Sequence, residues 1–189
     1  KTEFNTHLQE RLRNERHFSF ELFNLPSVLD FEETENEIFL LLEYKKGITL
    51  DQFWEKVKRK DRMTTLKQLI HAMAVPLNEL KARNIVHCDL KPSNILVHVL
   101  DEQLTVHLID FGLALDMKHF DDRKILFPLG YAAPELILNR LDCVDHTTDL
   151  FALGITIWRI FSGNLPLMHP NPSIYTNLQL VHPLPEHQT

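Results

Sequence analysis

The sequence predicts an α+β fold, built as one domain with two lobes. Its 189 residues are 44% hydrophobic and 24% charged, so the chain holds enough apolar material to bury a core. Apolar runs on either side of an acidic stretch predict two strands, and apolar residues spaced three or four apart predict several helices. Five of the ten prolines lie between Pro166 and Pro185, which predicts an irregular tail without a further helix.

A helix and two strands are predicted first along the chain. Residues 6–24 are charged, with apolar side chains loosely at helical spacing, and Pro26 ends this helix. The strands cover 28–31 and 38–44 and are joined by an acidic turn, and Gly47 closes the second strand.

Two helices are predicted next. Thr-x-x-Gln patterns at Thr49 and Thr65 have the form of capping boxes, so each predicts a helix start. The second helix is the longer one, because apolar residues recur every three or four positions from Leu66 to Leu80. Pro76 lies within this stripe and predicts a kink or one lost hydrogen bond.

The second half of the chain predicts a hairpin and a buried helix. Residues 95–99 and 104–109 have the pattern of two short strands, with Asp101 and Glu102 in their turn. Residues 149–161 are apolar nearly all round, which is typical of a buried central helix.

Composition excludes several classes of function. A formal net charge of −6 argues against a nucleic-acid binder, which normally carries a basic face. Cys88 and Cys143 are too few for a disulfide framework, so we expect a reducing, cytoplasmic compartment. The histidines lack the paired spacing of a zinc site. The longest apolar stretch without charge, 150–158, is about half of a membrane span, so no membrane insertion is expected.

The strongest chemical signal is the stretch 87–94, which reads HCDLKPSN and matches six positions of the pattern H-x-D-L-K-P-x-N. Three further motifs follow in order: DFG at 110–112, APE at 133–135 and DLFALG at 149–154. This ordered set resembles the eukaryotic-type protein kinase superfamily over about residues 28–163.

The resemblance implies a protein kinase-like bilobal fold that is incomplete in both lobes. Residues 1–44 would be a partial N-lobe without its Gly-rich hairpin, and residues 45–163 the hinge and the core of the C-lobe. Residues 164–189 would be an irregular proline-rich tail in place of the terminal helices. We therefore expect a piece of a longer polypeptide, which leaves room for further domains.

The family chemistry is phosphoryl transfer, which needs in-line positioning of a hydroxyl and neutralisation of phosphate charge. By resemblance, Asp89 orients the substrate hydroxyl and accepts its proton, while Lys91 places positive charge on the transferring phosphate. Asp110 is the principal Mg²⁺ ligand and Asn94 holds a second ion, since oxygen ligands suit this hard cation.

The resemblance also places the ATP contacts. Leu42 is the expected gatekeeper, and the backbone from Glu43 to Lys45 is expected to bind adenine. Leu96 would lie beneath the base. Plain core packing is the alternative for these apolar residues.

Other family positions are expected to be structural. His87 and Phe111 would pack in the core, and Asp149 would anchor the backbone of the catalytic loop. Lys1 is the candidate for the lysine that grips the nucleotide, with Glu15 as its partner on the first helix. If the family pattern is instead aligned backwards from Pro26 without a gap, Arg16 takes the position of this helix partner.

Two departures from the family pattern concern regulation and specificity. Cys88 stands where the family usually has an arginine that binds the activation-segment phosphate, and Tyr131 carries the only hydroxyl of residues 113–132. We therefore expect no switch by activation-loop phosphorylation. Ser/Thr kinases usually have a threonine three residues before Tyr131, and Pro128 at that position is typical of tyrosine kinases. Lys91 is typical of Ser/Thr kinases and would lie beside the transferring phosphate, so the Ser/Thr interpretation is favoured.

The leading interpretation is an ATP- and Mg²⁺-dependent Ser/Thr kinase acting on a protein substrate. One alternative is a pseudokinase-like module that binds a nucleotide or a partner within a larger signalling protein. Retention of Asp89, Asn94 and Asp110 favours the enzyme, because a binding module needs none of them. A small-molecule kinase is a third interpretation, but its catalytic loop usually lacks the Lys-Pro pair.

Overall fold

The computed structural model describes residues 3–35, 37–119 and 127–182, with the backbone alone for 3–5. Its helices are α1 (Glu3–Glu15), α2 (Leu50–Lys56), α3 (Arg62–Arg83), α4 (Pro134–Ile137), α5 (His146–Ser162) and α6 (Pro172–Val181). Its strands are β1 (Val28–Glu33), β2 (Ile38–Leu42), β3 (Ile48–Thr49), β4 (Ile85–Val86), β5 (Ile95–Leu100), β6 (Gln103–Leu108) and β7 (Leu115–Asp116). Single turns of 3₁₀ helix lie at Arg59–Asp61, Pro92–Asn94 and Leu141–Cys143.

The first helix is shorter than predicted. The prediction of a helix over 6–24 is wrong beyond Glu15, where α1 ends. Phe18 and Phe20 follow it and are both buried. Positions two apart point to different sides of a helix, so a continued helix would not bring both rings into one core. Burial of the two rings therefore outweighs the local helical pattern.

The predicted strands around the acidic turn are confirmed. β1 and β2 pair in antiparallel register, from Val28 opposite Leu42 to Glu33 opposite Ile38. The second strand ends at Leu42, two residues earlier than predicted.

The helix predicted after Thr49 is confirmed, although the Thr49 side chain makes no capping hydrogen bond. The start predicted at Thr65 is wrong, because α3 begins three residues earlier at Arg62. Pro76 lies inside α3 and is buried, and the helix continues to Arg83.

The hairpin of β5 and β6 is confirmed, and it brings two parts of the site together. Asp101 and Glu102 form its turn with φ of 49° and 65°, the positive values that a tight two-residue hairpin turn requires. At the open end, the Ile109 amide donates to the Asn94 carbonyl at 3.0 Å. The end of the catalytic loop therefore lies beside the start of the DFG motif.

A second strand pair holds the other ends of the same two segments. β4, which precedes the catalytic loop, pairs in antiparallel register with β7, which follows the DFG motif, with Val86 opposite Leu115. A small apolar cluster packs around this pair, formed by Val86, Cys88, Leu115, Ala132, Leu136, Leu141 and Val144.

Helix α5 begins three residues before the predicted Asp149, because Asp145 caps it in a capping box with Thr148. The prediction of a tail without a further helix is wrong, since α6 follows. Asn171 caps α6 through hydrogen bonds from two backbone amides, and Pro172 is its first residue. A proline suits the first helical position, so here it begins a helix.

The main core unites residues from both halves of the chain. Its members include Phe18, Phe20, Leu25, Leu50, Leu69, Leu80, Ile95, Leu108, Phe111 and Leu153. Within 3–35, 37–119 and 127–182, no helix combines the length and the apolar character of a membrane-spanning segment.

Candidate active site

The catalytic loop follows β4 and is anchored from beneath by helix α5. The Asp149 carboxylate accepts hydrogen bonds from the backbone amides of His87 at 2.8 Å and Cys88 at 3.0 Å. Burial raises the pKa of Asp149, while His87 and the two backbone N–H groups oppose this rise. The expectation that Asp149 anchors the loop is confirmed.

His87 is a core residue, as expected. Its side chain is buried, its ring centre lies 4.6 Å from that of Phe111, and its Nε2 lies 3.1 Å from the Ile109 carbonyl oxygen. Phe111 also packs on Phe18 and Phe20, with ring centres 6.2 and 4.9 Å apart. The catalytic loop and the DFG motif therefore share one aromatic cluster.

Two residues of the site have strained backbones. Cys88 has a φ of 62° and Asp110 a φ of 66°, in the left-handed region that side chains with a Cβ usually avoid. Such a conformation costs about 1 kcal/mol or more per residue and is typical of functional sites. Here it turns Asp89 and Asp110, on neighbouring segments, towards the same space, where one guanidinium binds both.

The structure brings the predicted catalytic residues together around the Asp89 carboxylate. Lys91 Nζ lies 2.9 Å from both carboxylate oxygens. Asn94 Nδ2 donates to the Asp89 carbonyl at 2.9 Å and to its Oδ2 at 3.0 Å. The Asp89 side chain is 0% exposed, so these hydrogen bonds compensate for its lost hydration.

Arg11 of α1 joins the two acidic residues, and sequence reasoning missed it. Its Nη2 lies 2.8 and 2.7 Å from the Asp110 carboxylate oxygens and 3.0 Å from Asp89 Oδ2. Burial alone would lower the pKa of Arg11, but its bonds to Asp110 and Asp89 outweigh that effect and raise it. The signal that could have found it is position, because Arg11 lies one helical turn before Glu15.

The same face of α1 holds the DFG segment at two further points. Asn14 Nδ2 donates to the carbonyl oxygens of Gly112 at 3.1 Å and Ala114 at 3.0 Å. Glu15 Oε1 accepts from the Phe111 amide at 3.0 Å. Burial raises the pKa of Glu15, although the bond from Phe111 opposes this rise. Lys1, its predicted partner, lies outside the described residues.

The predicted hinge residues lie in the irregular segment between β2 and β3. The Glu43 amide donates to the Ser27 carbonyl at 2.8 Å, and the Glu43 carboxylate accepts from Lys45 Nζ at 2.8 Å. Lys45 Nζ also donates to the Leu22 carbonyl at 3.1 Å. Glu43 and Lys45 line a cavity of about 640 Å³ that opens beside the β5–β6 hairpin. Their predicted contact with adenine stays a prediction.

The remaining two predicted nucleotide contacts, Leu42 and Leu96, are both half-buried. Leu42 is the last residue of β2, and Leu96 lies in β5 opposite Thr49 and His107. Neither lies among the residues that line the cavity beside the hairpin. Their contact with the nucleotide likewise stays a prediction.

The donor set beside Asp89 fits a hard divalent cation. Asp110 offers two carboxylate oxygens and Asn94 offers an amide oxygen, and oxygen is the ligand type that Mg²⁺ prefers. The Arg11 guanidinium shows that positive charge is stable beside the carboxylate oxygens of Asp89 and Asp110. In the part of the chain that the structure describes, no group of three or more His, Cys, Asp and Glu side chains forms a metal site.

Comparison with known proteins shows the family of the chain. The family model of the protein kinase domain matches residues 2–184. The chain belongs to the protein kinase family. The predicted resemblance is therefore confirmed, and so is the α+β protein kinase-like fold.

Individual relatives of this protein kinase domain are larger proteins. It is 34% identical to serine/threonine-protein kinase D2 of Homo sapiens over 173 residues, which are 88% of this chain and 19% of that protein. It is 29% identical to the phosphorylase b kinase gamma catalytic chain, liver/testis isoform, of Homo sapiens, over 86% of this chain and 41% of that protein. The chain thus spans less than half of either relative.

Proposed function

We propose that this kinase domain transfers the γ-phosphate of ATP to a serine or threonine hydroxyl of a protein substrate. The observation that carries the proposal is the buried Asp89 carboxylate with Lys91 and Asn94 bonded to it. A binding module has no need to bury and orient a carboxylate in this way. The relative named serine/threonine-protein kinase D2 supports the choice of acceptor, as Lys91 does.

Each residue has a role that follows from its chemistry. Asp89 accepts the proton of the attacking hydroxyl, and Lys91 stabilises the negative charge of the transferring phosphate. Asn94 and Asp110 would hold Mg²⁺, which supplies positive charge that neutralises the phosphate oxygens. The backbone of Glu43 and Lys45 would bind adenine.

Leu42 and Leu96 would pack on the adenine of ATP. They supply the apolar surface that a nucleotide base requires. We propose a cytoplasmic setting, since two cysteines are too few for a disulfide framework. We also propose further domains in the same polypeptide, since the two relatives are larger proteins.

The test is transfer of radiolabel from γ-labelled ATP to a generic protein substrate. Replacement Asp89→Asn keeps the size of the side chain but removes the base, so we expect transfer to fall at least about a hundredfold. Asp142→Asn is the matched control, because Asp142 lies in an exposed pair with Arg140 and its replacement should leave transfer unchanged. Equal transfer by Asp89→Asn and the unmodified protein would overturn the proposal.

The same assay separates the enzyme from a pseudokinase-like module. A module would bind ATP, seen as a rise in melting temperature, while the unmodified protein and Asp89→Asn transfer equally little label. The enzyme shows both ATP binding and transfer that depends on Asp89.

We further propose that transfer does not depend on phosphorylation of the activation segment. Cys88 is 3% exposed and carries no positive charge, so it offers an incoming phosphate no ion pair. Phosphatase treatment should leave phosphate transfer unchanged. A clear loss of transfer would contradict the independence from activation-segment phosphorylation, but it would not affect the proposal that the domain is a Ser/Thr kinase. Residues 120–126 of this segment lie outside the described residues.

A further inference from the structure

One nitrogen of Arg11 occupies the centre of the acidic site. Nη2 lies 2.7 to 3.0 Å from three carboxylate oxygens, two of Asp110 and one of Asp89. Two N–H groups are thus shared among three negatively charged acceptors. This is the position that a cation takes when it is bound by several carboxylate oxygens.

The surroundings of Arg11 hold it in this position. A Cβ at Gly112 would lie 2.9 Å from Arg11 Cβ and 3.0 Å from its Nε, so the glycine makes the close approach of α1 possible. Asn14 and Glu15 bind the same segment from the same helix face. The Arg11 side chain is 29% exposed, which leaves it a path away from the carboxylates.

A divalent cation bound by Asp110 would need the oxygens that Arg11 already uses. Two cations bound to the same oxygens repel each other at short range, and little water lies between them to screen the repulsion. The site therefore has two mutually exclusive states, one with the guanidinium on Asp110 and one with a metal ion there.

We propose that Arg11 is a positioning residue that competes with the divalent cation for the Asp110 carboxylate. Through Asp110 it sets the metal-ion concentration at which the kinase domain binds the cation. The inference rests on the metal site of the proposed function. The metal binds only to molecules in which Arg11 has left the carboxylates, so the apparent dissociation constant rises as that fraction falls. A partner or a movement of α1 that draws Arg11 away would raise metal affinity.

The test is a titration with Mn²⁺ alone, in which free Mn²⁺ is followed by electron paramagnetic resonance. Arg11→Gln removes the charge, and Arg11→Met keeps the apolar stem while removing the charge. We expect both to bind Mn²⁺ at least about tenfold more tightly than the unmodified protein, since the charge-assisted contacts of Arg11 with Asp110 and Asp89 are lost from the competing state. Circular dichroism shows whether each variant is folded, and Arg11→Met serves if Arg11→Gln is not.

The matched control is Arg13→Gln, which removes the same charge from the same helix. Arg13 pairs with Glu33 and makes no contact with Asp110 among the contacts of the described residues. We expect its Mn²⁺ affinity to equal that of the unmodified protein. An equal gain with Arg13→Gln, or no gain with the Arg11 variants, would overturn the inference.

The outcome is independent of the transfer assay. Tighter Mn²⁺ binding without any phosphate transfer would leave the inference standing and refute the proposed function. Transfer that depends on Asp89, with unchanged Mn²⁺ binding in the Arg11 variants, would refute the inference alone. Absence of Mn²⁺ binding in every variant would refute the inference, and the transfer assay alone would then decide the proposed function.

Discussion

The catalytic loop 87–94 and the DFG segment 110–114 meet at the site but are held by different parts of the molecule. The buried Asp149 carboxylate of helix α5 binds the backbone of the loop. The DFG segment is bound by Arg11, Asn14 and Glu15 of α1, a more polar and partly exposed helix.

The difference concerns how easily each segment can move. The Asp149 anchor belongs to the core, so the loop keeps its shape as long as the domain is folded. The Arg11 and Asn14 contacts are part-buried ion pairs and hydrogen bonds, which exchange with water at lower cost. Asp89 is therefore held for as long as the domain is folded, whereas the Asp110 carboxylate is held by contacts that break at lower cost.

The largest effect should come from breaking the loop anchor with Asp149→Ala. This leaves the buried amides of His87 and Cys88 without their acceptor, so we expect a loss of about 3 kcal/mol in the free energy of unfolding. Chemical denaturation measures it. Asp145→Ala, on the same helix, removes only the N-cap and should cost about 1 kcal/mol. Equal losses for the two would show that the loop is not anchored by Asp149.

A smaller effect should come from the α1 side with Glu15→Ala. The Phe111 amide loses its acceptor, and we expect a loss of about 2 kcal/mol in the free energy of unfolding. Glu15→Gln keeps an acceptor oxygen and should cost less than about 1 kcal/mol. If both variants lose the same stability, the contact with Phe111 does not carry the effect.

The smallest effect should be a pH dependence at His107, on the β5–β6 hairpin that joins the two segments. The pKa of His107 is lowered, chiefly by burial and further by the nearby charges of Lys45 and His98. A hydrogen bond with the Phe23 carbonyl and the charge of Glu43 act in the opposite direction but do not outweigh burial. The unfolded chain therefore takes up the proton first, so stability is full above about pH 6.5 and falls as the pH drops towards the folded pKa.

The measurement for His107 is the free energy of unfolding as a function of pH. His107→Gln should show a shallower decline below neutral pH than the unmodified protein. An identical decline in both proteins would mean that other groups cause the acid sensitivity.

Local patterns predicted the parts of the fold that local interactions hold. The β5–β6 hairpin follows from two short strands around Asp101 and Glu102, and α5 from its apolar composition. The end of α1 and the presence of α6 were not predicted. Helix α1 ends early because Phe18 and Phe20 are buried in the core. Helix α6 begins at the cap Asn171, in a stretch whose prolines suggested irregular structure.

The sequence by itself determined the family and the identity of the residues around Asp89. The ordered motifs specify these residues without reference to their neighbours in space. Only the tertiary structure decided that Arg11 lies between Asp89 and Asp110, about eighty and a hundred residues away along the chain. The physical reason is that no local pattern indicates which carboxylates the guanidinium of a residue on a polar helix will bind. The packing of α1 on the DFG segment brings Arg11 to Asp89 and Asp110.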